Sequence, residues 1–371
     1  MKFRLSPFPL LCAALTFLEI SAPGALNAEP LDARQSRKAP RLRVAASPYP
    51  NLFLQILPTN EDFGEHLYSV RISTVGLGPS SETSRGHFYT RRAGFLDLAH
   101  IRRSIDLTAY VHYRITECLT KRESGFSFAG VEATIYHCLF TYPEFWDKLH
   151  KEERARIISR VAMEAAERAS IDLSNWREII TWYGFHNVPG KLEKGSAFSY
   201  EDVPSHSVGA AIAVRALRSR GVPYNDAVTR ELKREIADLH MVSSETYLKA
   251  MGMVKDRWWG HETCLKRNID TGLDDGYVEP WLVRGLEAGM KPRPKLYRIP
   301  RPDFSDIDGY DCSGLVKFEY EPHMPKKDRV LKLLGPDAHR VDPARDYPLI
   351  LQQVREEIIE EFGPHATVPY P

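Results

Sequence analysis

The stretch Thr90-Arg91-Arg92-Ala93-Gly94-Phe95-Leu96-Asp97-Leu98-Ala99-His100-Ile101-Arg102 is where the chain turns into a helix. Gly94 breaks the preceding backbone. Asp97 stands where a cap carboxylate can satisfy the first free amides of a helix. From Asp97 onward, Leu98, Ile101, Ile105, Ala109, Ile115 and Leu119 recur at helical spacing, with His112 on the same stripe. Asp97 and His100 are three apart, so both side chains leave one face of the first turn, off the apolar stripe.

Helical spacing continues outward from this point. It predicts helices over residues 131–140 and 151–169, the latter with Ile157, Ile158, Val161, Ala165 and Ala169 on one face. A helix over 176–183 would be capped by Ser174 and ended by Gly184. Others are expected over 205–219, 225–239, 244–252 and 348–362. Residues 66–75 and 314–320 alternate like strands and are candidates to pair with each other. Residues 291–302 are Pro-rich and read as an extended connector. No internal repeat is visible. The expectation is a mainly α fold: a compact multi-helix domain with a small β element and a Pro-rich C-terminal extension. The parts would be 1–28, 29–60 as a loose arm, 61–290 as the helical core, and 291–371 as an extension packing on it.

Residues 1–28 have the order of a secretory signal peptide. Lys2 and Arg4 are basic, residues 10–18 are apolar, Pro23 and Gly24 break the helix, and Ala28 ends a cleavage site. The apolar run is shorter than the roughly 20 residues that span a bilayer. The expected location is periplasmic or secreted, with no transmembrane span in the mature chain. The chain of 371 residues has 50 basic and 49 acidic side chains. A leader carrying Lys2, Arg4 and Glu19 takes two of the first and one of the second, leaving 48 of each. Such balance gives no electrostatic case for nucleic acid; the expected partner is a cell-envelope substrate or protein.

Cys118, Cys138, Cys264 and Cys312 remain after the leader. Export permits disulfides, Cys118 with Cys138 and Cys264 with Cys312, and burial as free thiols stands level with them. No Cys-x-x-Cys, His-Glu-x-x-His, Walker or Rossmann pattern occurs.

Chemistry has three natural places. Asp97 with His100 offers a carboxylate and an imidazole on one face, for a metal or for an acid that orients a catalytic histidine; the same pair reads also as a helix cap and its polar neighbour. Glu178, four residues before Trp182, is an acid among aromatics, where a raised pKa suits proton transfer; it reads also as one half of an arginine pair. The loop from Glu193 through Ser196, Ser199, Glu201 and Asp202 to Ser205 and His206 has the ingredients of a site, and Ser199 with Asp202 those of a capping box. Ser196 lacks the Gly-x-Ser-x-Gly elbow of serine hydrolases. The candidate catalytic residues are therefore Asp97, His100, Glu178, Glu193, Ser196 and Glu201. Asp97, His100 and Glu178 are the candidate ligands of a divalent metal. Residues 270–283 are acidic but have the wrong offsets for a calcium loop, and read as turns closing on Trp281.

Four stretches carry a resemblance to a family. They are Arg92-Ala93-Gly94-Phe95-Leu96-Asp97-Leu98-Ala99-His100-Ile101-Arg102, Glu178-Ile179-Ile180-Thr181-Trp182-Tyr183-Gly184, Ser196-Ala197-Phe198-Ser199-Tyr200-Glu201-Asp202, and Asp275-Gly276-Tyr277-Val278-Glu279-Pro280-Trp281-Leu282-Val283. Over about residues 85–285 the chain resembles the bacterial domain of unknown function 4056, found in exported proteins and lipoproteins. Where that family continues with Tyr-Ser-Asn after the Glu-Asp pair, this chain has Val203-Pro204-Ser205-His206. The resemblance implies domain extent and an envelope setting, and no mechanism. Two functions follow as expectations. One is a hydrolase of an envelope substrate, with His100 or Glu178 as general base and a divalent metal optional. The alternative is a non-catalytic periplasmic binding or structural protein.

Overall fold

The computed structural model describes residues 38–40, 63–68, 86–130, 132–186, 193–219, 221–260, 263–286, 295–325 and 327–370. The expected signal peptide and nearly all of the expected arm lie outside the described residues. So does most of the strand expected over 66–75, while residues 66–68 belong to no strand.

Strands β1 (His87–Thr90) and β2 (Gly94–Asp97) form an antiparallel hairpin that sets His87 opposite Asp97. The turn requires glycine at 94. Its φ is +65°, and a Cβ there would lie 2.0 Å from the Trp281 carbonyl oxygen. β2 feeds directly into α1 (Leu98–Lys121). Asp97 is thus the last residue of the strand and the cap of the helix, its Oδ1 accepting from the amides of Ala99 at 2.6 Å and His100 at 3.1 Å.

Helices α1, α2 (Lys151–Trp182) and α3 (Asp202–Leu217) pack on one another at the centre. Small residues let their backbones approach. A Cβ added to Gly209 of α3 would come 2.3 Å from the Ile101 carbonyl oxygen of α1. Ser170 Oγ of α2 donates to the Ser104 carbonyl of α1 at 3.0 Å. Helices α4 (Tyr224–Asp238) and α5 (Ser244–Val254) follow, α4 lying on α3.

Residues 132–140, which the sequence places in a helix over 131–140, are not helical. Strands β3 (Gly125–Ala129) and β4 (Thr134–Phe140) pair antiparallel. Along β4, Thr134, Tyr136, Cys138 and Phe140 are buried, while Ile135, His137 and Leu139 are half-buried. That is the period of a strand. The strand Val316–Pro322 takes the other edge of β4, Phe318 opposite Cys138. The alternation read at 314–320 is therefore a strand, but its partner is β4 and not the segment near residue 70. The helices expected over 151–169 and 176–183 are one, α2, with Ser174 buried inside it rather than capping a new start. Over the described residues the chain has seven helices, 48% helical and 16% strand content. This is a mixed α/β fold, which corrects the mainly α expectation.

At the C-terminal end, a short α6 (Asp328–Leu331) precedes α7 (Pro343–Phe362), which Asp342 caps. α7 docks on α2: Tyr347 donates to the Asp172 carbonyl at 2.6 Å and Trp182 Nε1 to Glu357 at 2.8 Å. Ile350 and Val354 enter the same apolar core as Ile105 and Val161. Arg301 and Asp172 form an almost fully buried ion pair.

Cys118, Cys138, Cys264 and Cys312 are all buried free thiols. Neither disulfide forms, and Cys138 lies on a strand rather than on the helix expected for it. Among the described residues, no helix is long and apolar enough to cross a membrane.

Candidate functional site

The contact of α1 and α3 at Gly209 decides the site. Ile101 is the residue after His100, and Gly209 lies one turn beyond His206. The close crossing brings the two imidazoles edge to face, with centroids 5.0 Å apart and planes at 87°. Glu178 joins them from α2. One ligand atom from each of His100, Glu178 and His206 lies within 4.8 Å of the other two. Bonds of ~2.1 Å to a tetrahedral ion would set such atoms about 3.4 Å apart, so modest side-chain adjustment closes the triad on a metal.

The cluster is deeply set. His206 is fully buried, Glu178 is 5% exposed, and His100 is the most exposed of the three, its side chain at 14%. Among the described residues, neither ring nitrogen of His206 has a hydrogen-bond partner, and His100 Nδ1 has none either. Glu178 accepts from the Phe198 amide at 3.1 Å, which fixes the carboxylate.

Around this triad lies a ring of carboxylates. Asp202 Oδ1 is 3.4 Å from His100 Nδ1. Ser199 Oγ lies 2.7 Å from Glu201 Oε1 and 3.0 Å from Asp202 Oδ2, its single proton shared between them. His87 Nε2 stands 2.9 Å from Asp97 Oδ2 and 4.0 Å from Glu201 Oε1. Ser205 Oγ accepts from the Asp97 amide at 2.8 Å and donates to the Glu201 carbonyl at 2.6 Å, tying the start of α1 to that of α3.

Environment separates these groups. Burial pushes the His206 imidazole well below its usual value, and the surrounding cationic side chains add to this. Burial also lowers His100, although Asp97 and Glu178 oppose it. Both shifts favour the neutral ring, the form that binds a metal. Burial alone would raise Asp97, but His100, His87 and the capped His100 amide outweigh it and hold Asp97 low. Burial pushes Asp202 well up, helped by Glu178 and Glu201, and raises Glu201 as well. The cluster thus sets imidazoles shifted downward and an Asp97 held low beside an Asp202 and a Glu201 pushed upward.

Of the residues singled out in the sequence, Asp97, His100, Glu178 and Glu201 come together. Of the three expected ligands, His100 and Glu178 lie together with His206, while Asp97 is bonded to the first amides of α1 and lies against His87. Ser196 donates to the Glu193 carbonyl at 2.9 Å, so the two close a local turn before α3. Ser199 does not cap α3; Glu201 holds that position without a side-chain bond. In the acidic segment near residue 270, Asp270 accepts from the amides of Gly272 at 3.1 Å and Glu279 at 2.7 Å, a self-closing loop. His87 was not legible as a site residue, being a lone histidine in a short strand. For His206 the available signal was Asp202 one helical turn earlier and small residues on both sides.

A family model described as "Protein of unknown function (DUF4056)" matches residues 38–268. No curated protein and no solved structure matches the chain.

Proposed function

This chain belongs to the DUF4056 family, and we propose that it is a divalent-metal hydrolase whose ion is held by His100, Glu178 and His206. The observation that carries this reading is the pair of unpartnered nitrogens on the fully buried His206, facing His100 and Glu178. A buried polar atom left without a partner costs about 1–3 kcal/mol. A cluster serving only the fold would have been satisfied by hydrogen bonds, as the Glu178 carboxylate is by the Phe198 amide. Two neutral imidazoles and a carboxylate form the three-ligand set of catalytic zinc sites, which leave one position open.

An ion there would supply Lewis-acid activation of a water and of the scissile group. The chain supplies the rest. Glu178 is fixed by the Phe198 amide, and Asp97 and Asp202 flank His100. Asp202 gives its proton to the departing group and recovers one from the attacking water, so the proton count closes over a cycle. Of the two roles expected for His100 and Glu178, this reading takes that of ligand rather than general base. The N-terminal pattern of residues 1–28 supports a setting in the bacterial envelope, with an envelope molecule as substrate.

The test is hydrolysis of p-nitrophenyl esters by the zinc-loaded protein. Turnover that is lost with chelator and in His206→Ala supports the reading. Turnover indifferent to both overturns it. A second reading, a purely structural ion, draws on the near-complete burial of the triad. It would give zinc uptake without turnover.

A further inference from the structure

Two arginines stand beside the triad with shielded nitrogens that nothing holds. Arg103 lies one turn after His100 on α1, and Arg177 immediately precedes Glu178 on α2. Arg103 is 9% exposed; its Nη2 is 3.6 Å from Glu132, but its Nη1 has no partner among the described residues. Nη1 of Arg177 is also screened from solvent without a partner. Both guanidiniums act on the His100 and His206 rings, and each feels the other: Arg103 is held below the usual arginine value by burial first and by Arg177 next. A nearly buried guanidinium and a half-buried one, each with a shielded donor that has no partner among the described residues, make an arrangement receptive to an anion.

We propose that Arg103 and Arg177 form an anion seat at this site, and that the group it takes is a phosphoryl group. The substrate class is then a phosphate ester. The assignment deepens the metal-hydrolase reading and rests on it for the reaction, though the seat itself needs only the two arginines. A phosphoryl group offers three outer oxygens: one for an ion on His100, Glu178 and His206, and one for each free guanidinium nitrogen. A carboxylate has only two. This is the division of labour by which arginines and a cation stabilise a transferring phosphoryl group. In the hydrolysis, the water oxygen bonds to phosphorus, the ester P–O bond breaks, and the alcohol leaves with a proton that the water gives up.

The test is calorimetric titration of orthophosphate, and separately of acetate, into the full-length protein with and without zinc. Zinc content is measured on the same samples. The wild type is expected to bind orthophosphate at least tenfold more tightly than acetate. Arg177→Gln and Arg103→Lys are each expected to weaken orthophosphate at least tenfold while zinc content stays that of the wild type. Arg103→Lys keeps the charge in the core, and Arg177 is only half-buried, so both variants are expected to fold. Orthophosphate binding unchanged in both variants, or equal affinity for acetate, overturns the phosphoryl seat. Loss of zinc from the wild type with orthophosphate binding intact overturns the metal reading and leaves the seat standing.

Discussion

His100 and His206 meet edge to face because Gly209 leaves no side chain between α1 and α3. The backbone contact at Ile101 is what places one imidazole from each helix beside Glu178. Chemistry at this site therefore depends on a residue that takes no part in it.

Gly209→Ala tests that dependence. The new Cβ would meet the Ile101 carbonyl, and overpacking of a close helix crossing costs about 1–3 kcal/mol. A lower melting temperature and weaker zinc uptake are both expected. A variant as stable as the wild type would show that the helices are not in such close contact.

Glu167 of α2 gives a pH test away from the site. Burial pushes its carboxyl up to about 7, against the pull of Arg218 and Arg215. The folded state therefore holds this proton more tightly than the unfolded state. Its contribution to stability is fully present below about pH 4.5 and is lost as the pH rises through about 7. Glu167→Gln should gain on the wild type between pH 5 and pH 8 in urea unfolding. An identical difference at the two pH values would contradict the shift.

The buried ion pair of Arg301 with Asp172 ties the C-terminal part of the chain to α2. Arg301→Met leaves Asp172 with Arg168 alone, at 3.3 Å. Removing one partner of such a pair costs roughly 3 kcal/mol. Denaturant unfolding of the variant measures it; a loss below about 0.5 kcal/mol, the range of an ordinary surface change, would mean the pair is not buried.

The four buried cysteines are free thiols. Thiol reagent is expected to react with Cys118, Cys138, Cys264 and Cys312 only after unfolding, and reductant should leave the melting temperature unchanged. A melting temperature lowered by reductant would reveal a disulfide.

The start of α1 was legible because its signals are local: a glycine, a capping aspartate and a histidine three residues on. The run 131–140 was not. Tyr136, Cys138, Leu139 and Phe140 are apolar on both faces of β4, and half-burial of Ile135 and Leu139 erases the alternation that separates strand from helix. Ser174 reads in the sequence as the cap of a new helix, yet Ser170, Asp172 and Ser174 are all buried where α2 meets its neighbours. Small polar residues there serve close packing, with Ser170 bonded to α1. Asp97, Glu178 and Glu201 stood out through their neighbours in sequence. His87 and His206 join them only through the hairpin register and the helix crossing, which depend on contacts between distant segments.

The most direct test of the site is the metal content of the purified full-length protein after zinc loading and dialysis, compared with His206→Ala and Glu178→Gln. One zinc per chain is expected in the wild type and none in either variant, with helical circular dichroism unchanged in all three. A wild type that retains no zinc, or a His206→Ala variant that retains as much, would contradict the assignment of His100, Glu178 and His206 as a metal centre.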